Sequence, residues 1–341
     1  MDVRTALTAL IDKRDLTRDE MLAVMRQIMS GELTPVQIAG ILVALRAKGE
    51  TVSEISAAAE VMRELSTKVV VADHKHLVDT CGTGGDGRHT FNISTASAFV
   101  AAAAGANVAK HGGRSVSSTC GSADVLEALG VNVNLSPEQV AQSITEVGLG
   151  FMFAPNHHSA MKHAAPVRRE LSIRTLFNLL GPMTNPAGAK NQVLGVFQRE
   201  LVGIFAQVLK NLGSQHVMVV HGMDGMDEIS ISGETHVAEL KNAQISEYTV
   251  HPRDFGFAAA LPDALLVANV EQAQALLLAV LDNQAGAAKD IVCLNAGAAI
   301  YVAGLVPELS QGVAMAEQKI ASGAARAKLE RLVRFTQQCK T

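Results

Sequence analysis

Three stretches of this chain carry residue types that bind phosphate or the cation that accompanies it. The first is Cys81-Gly82-Thr83-Gly84-Gly85-Asp86-Gly87, directly after a β-branched run at 77–80. Four glycines in six positions let the backbone turn sharply and aim amide hydrogens at an anion. Asn92-Ile93-Ser94-Thr95 then opens a helix predicted over 96–104, so a helix N-terminus faces the same space. The second stretch, Lys110-His111-Gly112-Gly113-Arg114-Ser115-Val116-Ser117-Ser118, combines fixed positive charge, hydroxyl donors and permissive glycine. Two anion-binding loops after consecutive strands imply a ligand with more than one phosphate. Neither is a P-loop, because no Gly-Lys-Ser/Thr triplet follows the glycines. The glycines after position 82 also miss the dinucleotide fingerprint.

The third stretch is Asp227-Glu228, which follows Gly222-Met223-Asp224-Gly225-Met226. Adjacent carboxylates in such a loop are commonly a solvated turn. They also suit Mg2+, and a polyphosphate site needs a cation to neutralise its leaving group. His111 reads either as a satisfied core histidine or as a ligand-facing group; its place between Lys110 and a glycine pair favours the second. Arg168-Arg169 follows Pro166 at a predicted helix start, the end where cations are disfavoured. Such an arginine is either a surface residue with no special role or one held for an anionic ligand.

These residues need a frame. Residues 1–66 read as four short helices, with capping boxes at Thr17/Glu20 and Thr51/Glu54 and a first-turn proline at Thr34-Pro35. Helices this short cannot bury their apolar faces alone, so they must pack on the rest of the chain or on a second copy. From residue 77 the texture changes. Short runs at 77–80, 108–111, 151–153, 193–197 and 217–221 alternate with helical segments and glycine turns. That pattern predicts a small all-helical domain (1–66) and a larger α/β domain (67–341) with a central, mostly parallel sheet flanked by helices. Ligands then lie at the carboxyl ends of the strands. A helix is predicted over 166–180, and part of 166–185 is expected to join the helical domain.

Composition narrows the function. Of 341 residues, 48% are hydrophobic and 18% charged, which predicts a buried core and excludes disorder. A net charge of −4 argues against a nucleic-acid partner. Cys81, Cys120, Cys293 and Cys339 lack metal-ligand or redox spacing and suit a reducing cytoplasm. The start lacks a signal pattern, and the apolar stretches fall short of a membrane span.

Taken together, the Asp79–Asp86 stretch, Asn92–Thr95, Lys110–Ser118 and Leu180-Gly181-Pro182-Met183-Thr184-Asn185-Pro186 resemble the anthranilate phosphoribosyltransferases, in that family's order and over nearly the whole chain. The resemblance implies a homodimer and Mg2+-dependent transfer from phosphoribosyl pyrophosphate (PRPP) to anthranilate, in tryptophan biosynthesis. It implies that Gly82, Gly85, Asp86, Thr90 and Asn92, Ile93, Ser94 and Thr95 surround the sugar and its phosphates. Lys110 to Ser118, and Ser122 beyond them, would complete that cradle. Ser94, Asp227 and Glu228 would hold metal. Arg168 would clamp the anthranilate carboxylate, with Gly82, Gly113 and His157 or His158 beside the acceptor. Arg168 and His111 are the candidate catalytic residues, His111 without an assigned role as base.

One position departs from the family pattern. The usual asparagine after Lys-His-Gly is Gly113 here, and losing that amide removes a hydrogen bond worth roughly 0.5–1.5 kcal/mol net. Glycine leaves room for positive φ at this point, a conformation that asparagine also tolerates. The rival enzyme is a pyrimidine nucleoside phosphorylase, which would use inorganic phosphate and would not need the acidic pair. The non-enzyme rival is a binding module that kept the fold and lost acceptor chemistry.

Overall fold

The computed structural model describes residues 1–114 and 120–339. Its first four helices are α1 (Val3–Ile11), α2 (Arg18–Ser30), α3 (Pro35–Lys48) and α4 (Val52–Leu65). Each starts where the sequence offers an N-cap. Asp2 accepts from Arg4 and Thr5 amides, and Thr17, Thr34 and Thr51 each form a complete capping box. Gly31 ends α2 in the left-handed conformation.

The α/β part begins with β1 (Leu77–Gly82), α5 (Ile93–Ala104) and β2 (Asn107–Gly112). Next come α6 (Ser122–Ala128), α7 (Pro137–Val147), β3 (Leu149–Phe153) and α8 (Ala154–His157). Two short helices, α9 (Ala165–Leu171) and α10 (Leu176–Leu180), lead back to β4 (Asn191–Gly195), α11 (Leu201–Asn211) and β5 (His216–Gly222). The chain then adds β6 (Thr235–Lys241), β7 (Gln244–Val250), α12 (Val270–Leu281), α13 (Ala287–Val302), α14 (Leu309–Ala321) and α15 (Ala324–Gln338).

The seven strands form one sheet in the order β3-β2-β1-β4-β5-β6-β7. The first five are parallel, and β6 and β7 continue the edge antiparallel. The chain winds outward from β1 to β3 and then returns to lay β4 on the other side of β1. The order therefore reverses between β1 and β4, and a crevice opens at their carboxyl ends.

Each face of the sheet is covered. On one, α5 packs on α13, α14 and α15 around Phe99, Val100 and Ile291, all fully buried. On the other, α11 and α4 meet over Phe205, Val208 and Val61. Burying a side chain of this size contributes about 1.5–3 kcal/mol, so the two layers fix the strand ends rigidly. Among the described residues, no helix is long and apolar enough to cross a membrane.

Two expectations change. The helix predicted over 166–180 is broken: Ser172 sits at φ 51° and 172–175 separates α9 from α10. No proline or glycine marks that break, so periodicity alone runs across it. Arg168 consequently lies inside a seven-residue helix, at its fourth position, and not at the start. The helix after the glycine-rich loop also begins at Ile93, three residues before the predicted 96. The apolar faces of α9 and α10 join the core of the four N-terminal helices, where α9 packs on α3 and α10 packs on α3 and α4.

Candidate active site

The glycine-rich segment leaves β1 at the reversal point and is pinned to the next strand. Thr83 N–H donates to the Gly195 carbonyl at 2.9 Å, and the Thr83 hydroxyl accepts from Phe197 N–H at 3.1 Å. Gly84, Gly85 and Gly87 all have φ between 65° and 74°, which side-chain-bearing residues rarely adopt. Gly82 is needed for a different reason: a Cβ there would lie 2.4 Å from an Asp227 carboxylate oxygen.

Asp227 and Glu228, on the turn that follows β5, are thus brought against the glycine loop. Asp227 Oδ2 accepts from Gly84 N–H at 2.8 Å, and Glu228 accepts from Ser94 N–H at the start of α5. Desolvation raises both carboxyls well above the usual range; Asp86 adds repulsion to Asp227, and Asp227 adds it to Glu228. Lys110 is the cation that faces Glu228. Its ammonium is buried, donating to the Thr80 carbonyl at 2.5 Å and the Ser94 hydroxyl at 3.2 Å. Burial pulls its pKa down, against the opposing pull of Asp79. Asp79 is itself fixed, accepting from Asn185 Nδ2 at 2.7 Å and His111 N–H at 3.3 Å.

Lys110 offsets Glu228, while Asp86 and Asp227 repel each other beside it, so acidic groups outnumber the cation in a poorly hydrated place. That donor set fits a hard divalent cation. Among the described residues no three His, Cys, Asp or Glu side chains form a complete metal cage. An incomplete oxygen set is what Mg2+ uses when water and substrate phosphates finish its shell.

The second predicted loop is only partly described. Ser115, Val116, Ser117 and Ser118 lie outside the described residues. Gly112 packs tightly, since a Cβ there would lie 3.2 Å from Phe151 and from Ser122, the first residue of α6. Gly113 is not at positive φ, and a Cβ there would meet nothing within 4 Å. Its glycine is therefore not required by the backbone. Arg114 is neutralised on the surface by Asp124 (3.0 Å) and Glu127 (2.5 Å), so it does not present a free charge to phosphate here.

Other predicted residues serve the frame. Thr90 pairs with Leu266 in an isolated antiparallel bridge, and the Ile93 side chain is in the core. Asn92 Nδ2 donates to the Cys120 carbonyl at 3.1 Å instead of capping α5. Buried Asn92 Oδ1 and Thr95 Oγ1 have no partner among the described residues, which leaves both open to a ligand.

The histidines form a separate wall. His111 and His158 rings lie 5.1 Å apart, and His157 Nδ1 is 2.9 Å from the Thr67 carbonyl. All three are buried, and among the described residues none has a partner at Nε2. Desolvation lowers His111 to about 3 and His158 to about 4, so both rings are neutral at physiological pH. Arg168 is half-buried with its guanidinium over the Phe177 ring at 5.7 Å. Among the described residues its side chain has no hydrogen bond or ion pair, and burial lowers its pKa.

Sequence reasoning missed Arg174, in the break between α9 and α10. Its guanidinium stacks 4.0 Å from the Phe197 ring centroid and donates to the Gly85 carbonyl. It is the polar link from that connection to the glycine loop, and no capping or spacing signal announces it.

The chain matches two family descriptions. Residues 4–66 match "Glycosyl transferase family, helical bundle domain", and residues 74–326 match "Glycosyl transferase family, a/b domain". Anthranilate phosphoribosyltransferase of Thiobacillus denitrificans is 64% identical over 335 residues, covering 98% of each chain. The chain belongs to the anthranilate phosphoribosyltransferase family. Two anthranilate phosphoribosyltransferase structures share its fold. The enzyme from Thermus thermophilus superposes with a TM-score of 0.92 at 46% identity, covering 97% of this chain and 99% of that one. The enzyme from Saccharomyces cerevisiae, in complex with PRPP and Mg, gives 0.90 at 25% identity, covering 99% and 98%.

Proposed function

We propose that this chain transfers the phosphoribosyl group of PRPP to anthranilate, releasing pyrophosphate, in tryptophan biosynthesis. One observation carries the reading at the level of residues. A glycine loop, a helix N-terminus, a buried lysine and an underneutralised carboxylate pair converge where the strand order reverses.

In the reaction the bond from the sugar's anomeric carbon to pyrophosphate breaks, a bond to the anthranilate nitrogen forms, and the amine sheds a proton. The amides of 85–87 would face the charge that develops on the leaving group, since those of Thr83 and Gly84 already donate to Gly195 and Asp227 and that of Ser94 to Glu228. Lys110 holds positive charge beneath them. Mg2+ bound by Asp227, Glu228 and Ser94 would neutralise the departing pyrophosphate. The aromatic amine is already neutral near pH 7, so positioning supplies much of the rate. Arg168, unpaired and partly desolvated, is suited to the ortho carboxylate by a bidentate contact. His111, His157 and His158 offer their Nε2 atoms to an acceptor. Burial keeps the His111 ring neutral, so it offers a hydrogen-bonding wall to the acceptor, and no protein base is assigned.

We infer a homodimer formed through α1–α4, whose outer face exposes Ile11 (70%), Val36 (81%) and Val43 (41%). A cytoplasmic setting fits four cysteines that are all unpaired in the fold.

The test is anthranilate fluorescence in the presence and absence of PRPP and Mg2+. The signal should change only when both are present. Unchanged fluorescence with both, or phosphorolysis of thymidine or uridine, would overturn the assignment.

A further inference from the structure

The turn that carries the acidic pair is held on three sides. From β4, Gly195 admits the Asp227 main chain so closely that a Cβ there would lie 1.5 Å from the Asp227 carbonyl oxygen. From within the turn, Asp224 accepts from Met226 N–H at 3.2 Å and from the Ser230 hydroxyl at 2.7 Å. The third hold comes from a helix 66 residues away in sequence.

Asn295 lies in the middle of α13 and is 2% exposed. Its Oδ1 accepts from Ile229 N–H at 2.9 Å, and its Nδ2 donates to the Ile229 carbonyl at 2.9 Å. The second Nδ2 hydrogen goes to the Ile291 carbonyl of its own helix, also at 2.9 Å. One side-chain amide therefore pairs with both backbone groups of the residue directly after Glu228, as an adjacent strand would. Ile229 is itself 2% exposed, so water cannot take over those bonds. Asn295 and Glu228 also line one small, partly open cavity of about 10 Å³ with Thr80, Ser94 and Ser97.

Two neighbouring carboxylates that repel each other would separate if their turn were free. We propose that Asn295 is a positioning residue that holds the Asp227-Glu228 turn in the geometry that receives a divalent cation. It touches neither substrate nor metal and acts through Ile229. The proposal rests on the acidic pair being the metal ligands.

The experiment titrates Mn2+ into the full-length protein with pyrophosphate present, following free Mn2+ by electron paramagnetic resonance. Asn295→Ala should weaken Mn2+ by about 10- to 100-fold, the range found when groups orienting metal ligands are removed. Anthranilate affinity should stay within about twofold, because the acceptor groups do not depend on this turn. Val292→Ala, one turn earlier on α13 and fully buried, softens the same helix without touching the tether, and should leave Mn2+ binding unchanged. Should Asn295→Ala fail to fold, Asn295→Asp carries the test. It keeps the acceptor for Ile229 N–H and loses the donations, while its extra negative charge would by itself favour a cation. Unchanged Mn2+ binding in the folded variant, or equal weakening by Val292→Ala, overturns the proposal. The Asp227→Asn, Glu228→Gln double variant separates the two layers. If it binds Mn2+ as the parent does, the metal reading fails; if it loses the site while Asn295 variants keep it, only the positioning role fails.

Discussion

Replacing Arg168 by alanine tests where the acceptor binds. Its guanidinium is half-buried, lies 5.7 Å from the Phe177 ring centroid, and has no acidic partner among the described residues. A cation kept partly out of water and left unpaired gains most when a carboxylate arrives. Losing a charge-assisted hydrogen-bonded contact costs roughly 1.5–3 kcal/mol. At about 1.4 kcal/mol per factor of ten, the KM for anthranilate should rise about 10- to 150-fold. No hydrogen bond ties Arg168 to the phosphate loops, so the KM for PRPP should stay within about threefold. The variant also loses its contact with Phe177, worth about 0.5–1 kcal/mol, which should appear as a slightly lower Tm and not in either KM. Arg168→Lys keeps the charge without the fork and should fall between alanine and the parent. Steady-state fluorescence kinetics varying each substrate in turn supplies both constants. If alanine weakens PRPP and anthranilate equally, or neither, Arg168 is not the carboxylate clamp.

Three further outcomes follow from the geometry. Gly113→Asn enters open space at ordinary φ, so Tm should hold while anthranilate tightens by about two- to tenfold, the worth of one amide hydrogen bond; a weaker acceptor would show that the amide does not face it. Glu228 is raised by burial and by Asp227, so in the metal-free protein it binds protons that the unfolded chain would release. Stability from this pair therefore falls as pH rises from the ordinary carboxylate range through the raised pKa. Glu228→Gln should accordingly melt higher than the parent at pH 8 without metal, the gap closing toward pH 4, and equal melting curves at pH 8 would refute it. Finally, light scattering should give a dimeric mass at micromolar protein, and Val36→Glu with Val43→Glu should lower it; a monomeric parent, or a double variant that stays dimeric, contradicts the interface.

The glycine loop, Lys110 and the acidic pair were legible because each announces itself locally, by permissive backbone or by charge next to a strand end. Their meeting was readable only as strand alternation, which predicts a parallel sheet and a site at its carboxyl edge. Other features depend on the folded context. The β6–β7 hairpin turns on Asn242 and Ala243, with φ of 51° and 60°, but its outer strand is largely exposed and lacks the apolar runs that mark the central strands. Asn295 and Gln192 are polar residues whose positions look unremarkable in the sequence; only the fold shows that they hold buried backbone groups. Ser172 breaks a helix that propensity would have continued, and Arg174 reaches the glycine loop as a result.

The return of α9 and α10 to the N-terminal helices bears on how this protein can be cut or recombined. Leu176, Phe177 and Leu180 are buried in the same core as Met21, Ile41 and Leu42, and Arg63 donates to the carbonyls of Met183 and Leu212. A break at residue 66 falls between the two family matches in the chain, yet it runs through one hydrophobic core in space. A fragment of 1–66 would bare the faces that α10 covers, and a fragment starting at 67 would carry α9 and α10 without the α3 and α4 surfaces they pack on. A chimera that exchanges the bundle with a relative's must therefore bring 164–183 along with it. The seam to cut is a pair of crossings, and a single junction at 66 should give two insoluble halves.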